Sequence, residues 1–511
     1  MPFASNLGRA FDAIVRRQAE RPALIYAADG ARVSYAELDA LAARVAAGLQ
    51  GRGLRRGDVV ALFNDKSPTA YATLLACLRL GLPYANLDPD SPWERVRRIL
   101  DTCRPALVAN AFPDLAFAAE LAAARPGACV PLQELPAATE AHVDLDAVAA
   151  GTPAYIMFTS GSTGLPKGAV MSHANVLWFV AWARERFAIG ADEVFTGANP
   201  AYFDNSVFDF YGALFSGAAL APFTAAQVRE PRELVRLVDA AGCTSWFSVP
   251  SLLVYLLTTR ALGAADFAAV RRIVFGGEGF PKPRLKQLFD LFGARARLEN
   301  VYGPTECTCI CSAQAIGADD FADMRSLAPL GRLAQNFDYE ILPLDAADPD
   351  FGELFLRGPQ VGLGYYGDPA RTAQSFVQNP RHARYADIGY RTGDLVRRDA
   401  RGWLHFAGRA DFQIKHMGYR IELEEVEAAL NSLPTVRECA AVYERLGDGL
   451  GQILAFAATT APATPAQLLE AAARLLPQYM MPRRLTLMEA LPKNANGKID
   501  RPALLAGAAA H

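Results

Sequence analysis

The sequence has no excess of charge of either sign: 51 lysines and arginines face 54 aspartates and glutamates, a net charge of −3 over 511 residues. That balance offers no electrostatic footprint for nucleic acid or an anionic membrane, and points to a small-molecule or protein partner. Long apolar runs are missing too. No stretch reaches the roughly 18 residues that a membrane span needs. Arg9, Arg16 and Arg17 interrupt the N-terminal segment where a signal peptide would keep an apolar core. A cytoplasmic location is the expectation. The eight cysteines are scattered apart from Cys307, Cys309 and Cys311, and a chain this long needs no disulfide staples. There is no repeat period and no low-complexity tract, and hydrophobic residues make up 51% of the chain, which excludes disorder as its main state. At this length two or more domains are expected.

What is present is an alternation of helix and strand. Residues 35–50 carry the helical spacing of apolar side chains, and a second helical stretch covers 67–80. Short apolar runs at 58–63, 106–110, 154–160, 245–249 and 271–277 read as buried strands. This order predicts layered α/β architecture with largely parallel sheets. After about 340 the chain turns β-like, with GELFLRG at 352–358 and glycine-punctuated turns at 362–367 and 401–402. A further shift near Gly408 to Asp411 opens a compact α+β pattern: strand-like 412–418, helical 423–433, strands at 439–445 and 452–459, and helical 465–476. Two domains, 1–410 and 411–511, are therefore predicted. TTAPATPA at 459–466 reads as a surface loop and the Ala-rich end from Leu504 as a frayed tail.

Two stretches carry chemistry. YGPTECTCIC, from Tyr302 to Cys311, poses a metal question. Cysteines at period two would share one face of an extended strand, and no histidine or cysteine cluster elsewhere has the spacing to complete a zinc site. Cys307 and Cys311 read as packed core. The second stretch, FTSGSTGLPKGAV at 158–170, follows an apolar strand. Its glycines, hydroxyls and Lys167 suit a phosphate cradle. The usual P-loop spacing fails, because Pro166 stands where a glycine and Gly168 where a hydroxyl are needed. A flexible Ser/Gly surface turn is the plain alternative.

The loop does not stand alone. TSGSTGLPKG is followed by FDNS at 203–206, NVYGPTE at 300–306, GELFLRG, YRTGDL at 390–395, GRADFQIKHMGYRIELEEVE at 408–427 and NANGKIDR at 494–501. With LRLGLPYANLDPDSPWERVRRIL at 78–100, this series resembles the adenylate-forming enzyme superfamily over essentially the whole chain. Within it the chain is most similar to amino-acid adenylation domains of nonribosomal peptide synthetases and to D-alanine:carrier-protein ligases. The resemblance implies a large N-terminal domain of layered α/β subdomains plus a β-rich subdomain, followed by a small mobile α+β domain. It also implies ATP and Mg²⁺, formation of an acyl-adenylate with release of pyrophosphate, and transfer of the acyl group to a thiol. The setting would be nonribosomal peptide and secondary-metabolite biosynthesis.

Residue by residue, the resemblance assigns Thr159, Ser160, Gly161, Ser162, Thr163, Gly164 and Lys167 to the phosphate loop. Asn300, Val301, Tyr302, Gly303 and Phe406 would line the nucleotide, with Tyr302 along the adenine. Thr305 would bond the α-phosphate and Glu306 would hold Mg²⁺. Asp394 would accept the ribose hydroxyls, with Arg409 at the same sugar. Lys498 is the candidate catalytic residue, bridging the substrate carboxylate and the nucleotide. Asp411 matches the hinge between domains, and Gly418 a tunnel for the phosphopantetheine thiol.

Asp204 in FDNS matches the carboxylate that pairs with an α-ammonium group, a helix N-cap being the alternative. The remaining pocket would comprise Asn205, Phe208, Ser248, Val274, Gly276, Val301, Cys309 and Ile310, together with Lys498. None of the eight is charged, so a neutral, small-to-medium aliphatic amino acid is expected, with Asn205 and Ser248 able to meet a polar group. D-alanine ligases resemble one another in a cysteine where this chain has Gly276, whose extra room argues against D-alanine. No carrier or condensation domain is visible, so a stand-alone ligase loading a separate carrier protein is expected. The alternatives are an acyl-CoA ligase, a D-alanine:carrier-protein ligase, or a binding protein without turnover. The intact Lys498, Asp394 and Glu306 argue against the last.

Overall fold

Strands whose residues are apolar without alternation become interior strands here. In the computed structural model, which describes residues 4–139, 143–161, 164–446, 451–494 and 499–508, strands Val60–Phe63 and Ser245–Ser248 are buried at every position. That is the signature of a sheet covered on both faces. Among the described residues, one sheet has eight strands in the order Ser312–Ala315, Arg297–Tyr302, Arg272–Gly276, Ser245–Ser248, Val194–Gly197, Ala219–Pro222, Pro22–Tyr26 and Ala31–Ser34. It is parallel except at its two edge strands. A seven-stranded sheet is built around Val60–Phe63, flanked in parallel by Tyr84–Leu87 and Leu107–Asn110. A third sheet, antiparallel, runs through Asp338–Pro343, Phe351–Arg357, Ile388–Arg398 and Leu404–Arg409.

Local chemistry sets the helix boundaries. Ser34 and Ser172 form capping boxes with Glu37 and Asn175. Ser67 caps Pro68–Leu80, which has proline in its first turn and stops at Gly81 in the left-handed region (φ 69°). No helix among the described residues is long and apolar enough to cross a membrane.

The chain divides into two compact units. One comprises Met1–Leu87, Cys103–Met157 and Gly168–Ala410, and the other Asp88–Thr102, Phe158–Lys167 and Asp411–His511. The 410/411 boundary thus coincides with a change of unit, but two earlier segments group with the C-terminal one. In that unit Leu423–Asn431 and Pro465–Ala472 pack with the sheet Val436–Arg445, Gly451–Thr459 and Arg484–Leu487. Ile421, Val426, Leu430, Ile453 and Leu485 form its core. The Ala-rich end corrects an expectation. It is a helix, Arg501–Ala508, that buries Leu504 and Ala508 against Val442, Leu454 and Phe456, so apolar contact, not composition, decides its order.

Candidate active site

Strand Arg297–Tyr302 carries Asn300, Val301 and Tyr302, all buried, with the Asn300 amide donating to Pro329 O at 2.9 Å. Val301 pairs in register with Gly276, whose Cβ, if it had one, would lie 2.4 Å from the Val301 carbonyl oxygen. The glycine therefore serves a close approach of two strands, not the extra pocket room that its position in the sequence suggests. A Cβ on Gly303 would meet Cys309 O at 2.2 Å, so a second close backbone approach follows at once.

Beyond Pro304 the chain makes a single turn, Thr305–Cys307, and then places Thr308 (φ 59°) and Cys309 (φ 73°) in the left-handed region. The segment is thus no strand, which corrects the period-two reading of its cysteines; all three are nevertheless buried. Burial, and next the Asp204 and Asp209 carboxylates, push the Cys309 thiol well above its ordinary pKa. It stays a neutral thiol, unsuited to a metal.

This turn brings three carboxylates into use. Tyr302 donates its hydroxyl to Asp394 Oδ2 at 2.6 Å, and Arg409, the cross-strand partner of Asp394, holds Oδ1 at 2.7 Å. Burial and the neighbouring Asp394 raise the Tyr302 phenol far above its usual range, so it remains a donor. Phe406, half-buried, lies on the same strand as Arg409. Glu306 is fully buried and accepts the Tyr365 hydroxyl at 2.7 Å. Among the described residues no group of three or more His, Cys, Asp or Glu could hold a metal. A lone buried carboxylate fits Mg²⁺, which takes one or two carboxylates and fills its shell with phosphate oxygens and water.

Asp204 precedes the short helix Asn205–Val207 and accepts Val207 N on its main-chain carbonyl at 2.9 Å, but its carboxylate caps no amide; its Oδ2 accepts the Thr305 hydroxyl at 2.6 Å. The N-cap alternative therefore fails. Phe208 is held by the rings of Phe247, Phe187 and Phe195, with centroids at 5.2, 5.3 and 5.4 Å. Val274 and Ile310 are buried, and Asn205 is half-buried. Ser248 accepts from Trp246 Nε1 at 2.9 Å and donates to Val249 O at 3.0 Å, so its one proton is committed within the protein. Tyr155 had no motif to mark it. Its hydroxyl is buried without a hydrogen-bond partner among the described residues, and burial first, then Tyr84, Cys309 and Asp204, oppose its ionisation. Tyr365 had only the glycine-punctuated turn around it as a signal.

The phosphate-loop residues fall in the second unit. Ser160 Oγ donates to Arg420 O at 2.7 Å and accepts from Glu422 N at 3.1 Å. Gly161 N donates to Glu425, whose other oxygen pairs with Arg95, and Lys167 Nζ stands 3.4 Å from Glu422. Arg98 donates to Gly164 O at 3.1 Å. Thr159 Oγ1 is buried with no hydrogen-bond partner among the described residues, an orphan that a phosphate oxygen would satisfy. Ser162, Thr163 and Lys498 lie outside the described residues. Asp411 is the first residue of the C-terminal segment, and Gly418 (φ 83°) with Met417 (φ 52°) forms a two-residue hairpin turn.

The AMP-binding enzyme family covers residues 11–366, and the AMP-binding enzyme C-terminal domain covers 425–498. An L-proline--[L-prolyl-carrier protein] ligase of Pseudomonas fluorescens is 34% identical over 92% of this chain and 93% of its own length. A protein of the same name from Streptomyces coelicolor is 32% identical over 95% and 93%. A dimodular nonribosomal peptide synthase of Bacillus subtilis is 32% identical over 95% of this chain, which spans only 20% of that protein. Among solved structures, a nonribosomal peptide synthetase protein containing adenylation and PCP domains superposes with a TM-score of 0.83 at 27% identity, covering 98% of this chain and 84% of that one. The crystal structure of IdnL1 superposes at 0.81 and 30% identity, covering 96% and 99%. The chain belongs to the AMP-binding enzyme family, with its large N-terminal and small C-terminal domains.

Proposed function

We propose that this chain activates a neutral amino acid with ATP as its aminoacyl-adenylate and passes it to the phosphopantetheine thiol of a carrier protein. The observation that carries this reading is Asp204. A carboxylate that caps no helix and is held by a threonine of the nucleotide motif is suited to receive an ammonium group, a contact that an acid lacking an amine could not make. The pocket residues around it are uncharged, which favours a neutral side chain, and the relatives named as L-proline ligases make L-proline the first candidate.

In the first step a substrate carboxylate oxygen bonds to the α-phosphorus while the bond to the pyrophosphate oxygen breaks. Pyrophosphate leaves with the electron pair. The carboxylate is already a nucleophile at neutral pH, so the protein supplies position and charge neutralisation, not a base. Asp204 orients the amine, Thr305 donates to the α-phosphate, and Asp394 with Arg409 fixes the ribose. The phosphate loop from Thr159 to Lys167 handles the departing pyrophosphate, and Lys498 offsets the repulsion between the two anions that meet. Glu306 would hold Mg²⁺, which supplies neutralisation of phosphate charge when bound. In the second step the thiol sulfur, giving up its proton to solvent, bonds to the acyl carbon while the bond from that carbon to the phosphate oxygen breaks, and AMP leaves with the electron pair. The reaction belongs in the cytoplasm, where ATP is supplied.

Incubation with ATP, Mg²⁺, radiolabelled L-proline and a holo-carrier protein or coenzyme A tests the acceptor. Label on the carrier supports the proposal; rapid acyl-CoA formation with no label on the carrier overturns it. Lys498→Ala is expected to abolish adenylation while sparing thioester formation from supplied adenylate.

A further inference from the structure

We propose that the buried pair Asp209 and Lys66 is a positioning device for amino-acid recognition: it fixes the helix on which Asp204, Asn205 and Phe208 stand, and so sets how tightly the substrate is held. This rests on the reading of Asp204 as the amine-binding carboxylate.

The helix that begins at Asn205 widens into a π turn over Phe208–Gly212, a geometry that recurs at functional sites. The widening turns Asp209, five residues after Asp204, into the protein, where it is 3% exposed. Its two oxygens accept from the Asn199 amide at 3.1 and 3.0 Å, and Asn199 N adds a third bond at 3.4 Å. Asn199 is itself fixed, because the same amide nitrogen reaches Phe247 O at 3.1 Å. Asp209 therefore ties the substrate-binding helix to the strand end after Gly197.

Lys66 completes the anchor from the opposite side. Its ammonium donates to Gly197 O at 2.7 Å and to Phe223 O at 2.8 Å. Its backbone sits in the left-handed region (φ 63°), held by the Tyr26 hydroxyl on its carbonyl and the Asn64 side chain on its amide. Lys66 and Asp209 line one cavity of about 20 Å³ with Asn64, Asn86 and Ser206, room for a single water that could relay between the two charges. Burial raises the Asp209 pKa and lowers that of Lys66. The Asn199 hydrogen bonds oppose the rise at Asp209, and each of the two groups opposes the other's shift. A buried pair of this kind is most sensitive to the loss of one member, which leaves the other charge uncompensated. The groups that face the nucleotide in the large unit, Tyr302, Asp394 and Arg409, stand on other strands and do not share this anchor.

The test uses the full-length enzyme with Asp209→Asn, which keeps shape and removes charge. Pyrophosphate exchange is measured with L-proline, L-alanine, L-valine and L-leucine, and the best of these serves for kinetics. The expected result is an amino-acid KM raised at least tenfold, with the ATP KM within twofold and kcat at saturating amino acid within threefold. An unchanged amino-acid KM, or equal rises in both KM values that follow the loss of thermal stability, overturns the proposal. Asn199→Ala keeps both charges and is expected to raise the amino-acid KM about threefold; if Asp209→Asn does not fold, this variant decides by the same criteria. A wild-type enzyme that exchanges with no amino acid overturns the reading of Asp204 and this inference with it. An active wild type whose Asp209 variant keeps its amino-acid KM overturns only the inference.

Discussion

The hydroxyl of Thr305 donates to the carboxylate of Asp204 at 2.6 Å, joining the nucleotide motif to the residue proposed to bind the amine. A threonine hydroxyl has one proton, so it cannot serve Asp204 and an α-phosphate oxygen together. An ammonium group arriving at Asp204 releases that proton. Amino acid and nucleotide should therefore bind with positive coupling, about fivefold or more in affinity. Calorimetric titration of a non-hydrolysable ATP analogue, with and without the amino acid, measures this. Thr305→Val should remove most of the coupling; equal coupling in both proteins contradicts the account.

Tyr302 makes a different prediction, confined to the nucleotide. Its hydrogen bond to buried Asp394 is of the charged kind, worth about 1.5–3 kcal/mol. Tyr302→Phe should raise the ATP KM about tenfold and leave the amino-acid KM unchanged. Steady-state kinetics with each substrate varied in turn separate the two.

A pH-dependent element lies in the first unit. His173 is fully buried and accepts from Leu7 N at 3.1 Å, and burial lowers its pKa from 6.5 to about 4. The unfolded chain then binds a proton that the folded chain refuses between those values. Stability is complete above pH 6.5 and falls toward pH 4, by about 3 kcal/mol at most. Denaturant melts at pH 7 and pH 5 should show about 2 kcal/mol of that loss, reduced in His173→Asn. The same loss in both proteins would contradict the assignment.

Gly276→Ala tests the strand approach. Its Cβ would lie 2.4 Å from Val301 O and 2.6 Å from Val301 Cγ2, so the pocket wall must part. Overpacking of this kind costs about 1–3 kcal/mol. A lowered melting midpoint with a raised amino-acid KM is expected.

These relationships differ in how far the sequence discloses them. Strands such as Val60–Phe63 and Ser245–Ser248 are legible because complete burial demands apolar side chains at every position. The Thr305–Cys311 turn is not, since alternation of side chains says nothing about φ, and two successive left-handed residues cancel the period. Gly276 shows the same limit: a missing side chain reads equally as room or as close approach. Asp204, Thr305, Glu306 and Asp394 are legible through their motif frames. Lys66, Asp209 and Tyr365 are not, because each acts through a partner distant in sequence, as with Tyr365 and Glu306, and Tyr155 is not, because no motif surrounds it. The grouping of 88–102 and 158–167 with the C-terminal unit is invisible to any reading by contiguous segments.

The central claim is that Asp204 makes this enzyme an activator of amino acids. Pyrophosphate exchange across L- and D-amino acids and aliphatic and aryl acids tests it most directly. The account predicts exchange with a neutral amino acid, lost about a hundredfold in Asp204→Ala as a charge-assisted contact disappears. Exchange only with acids that lack an amine, undiminished in Asp204→Ala, would contradict it.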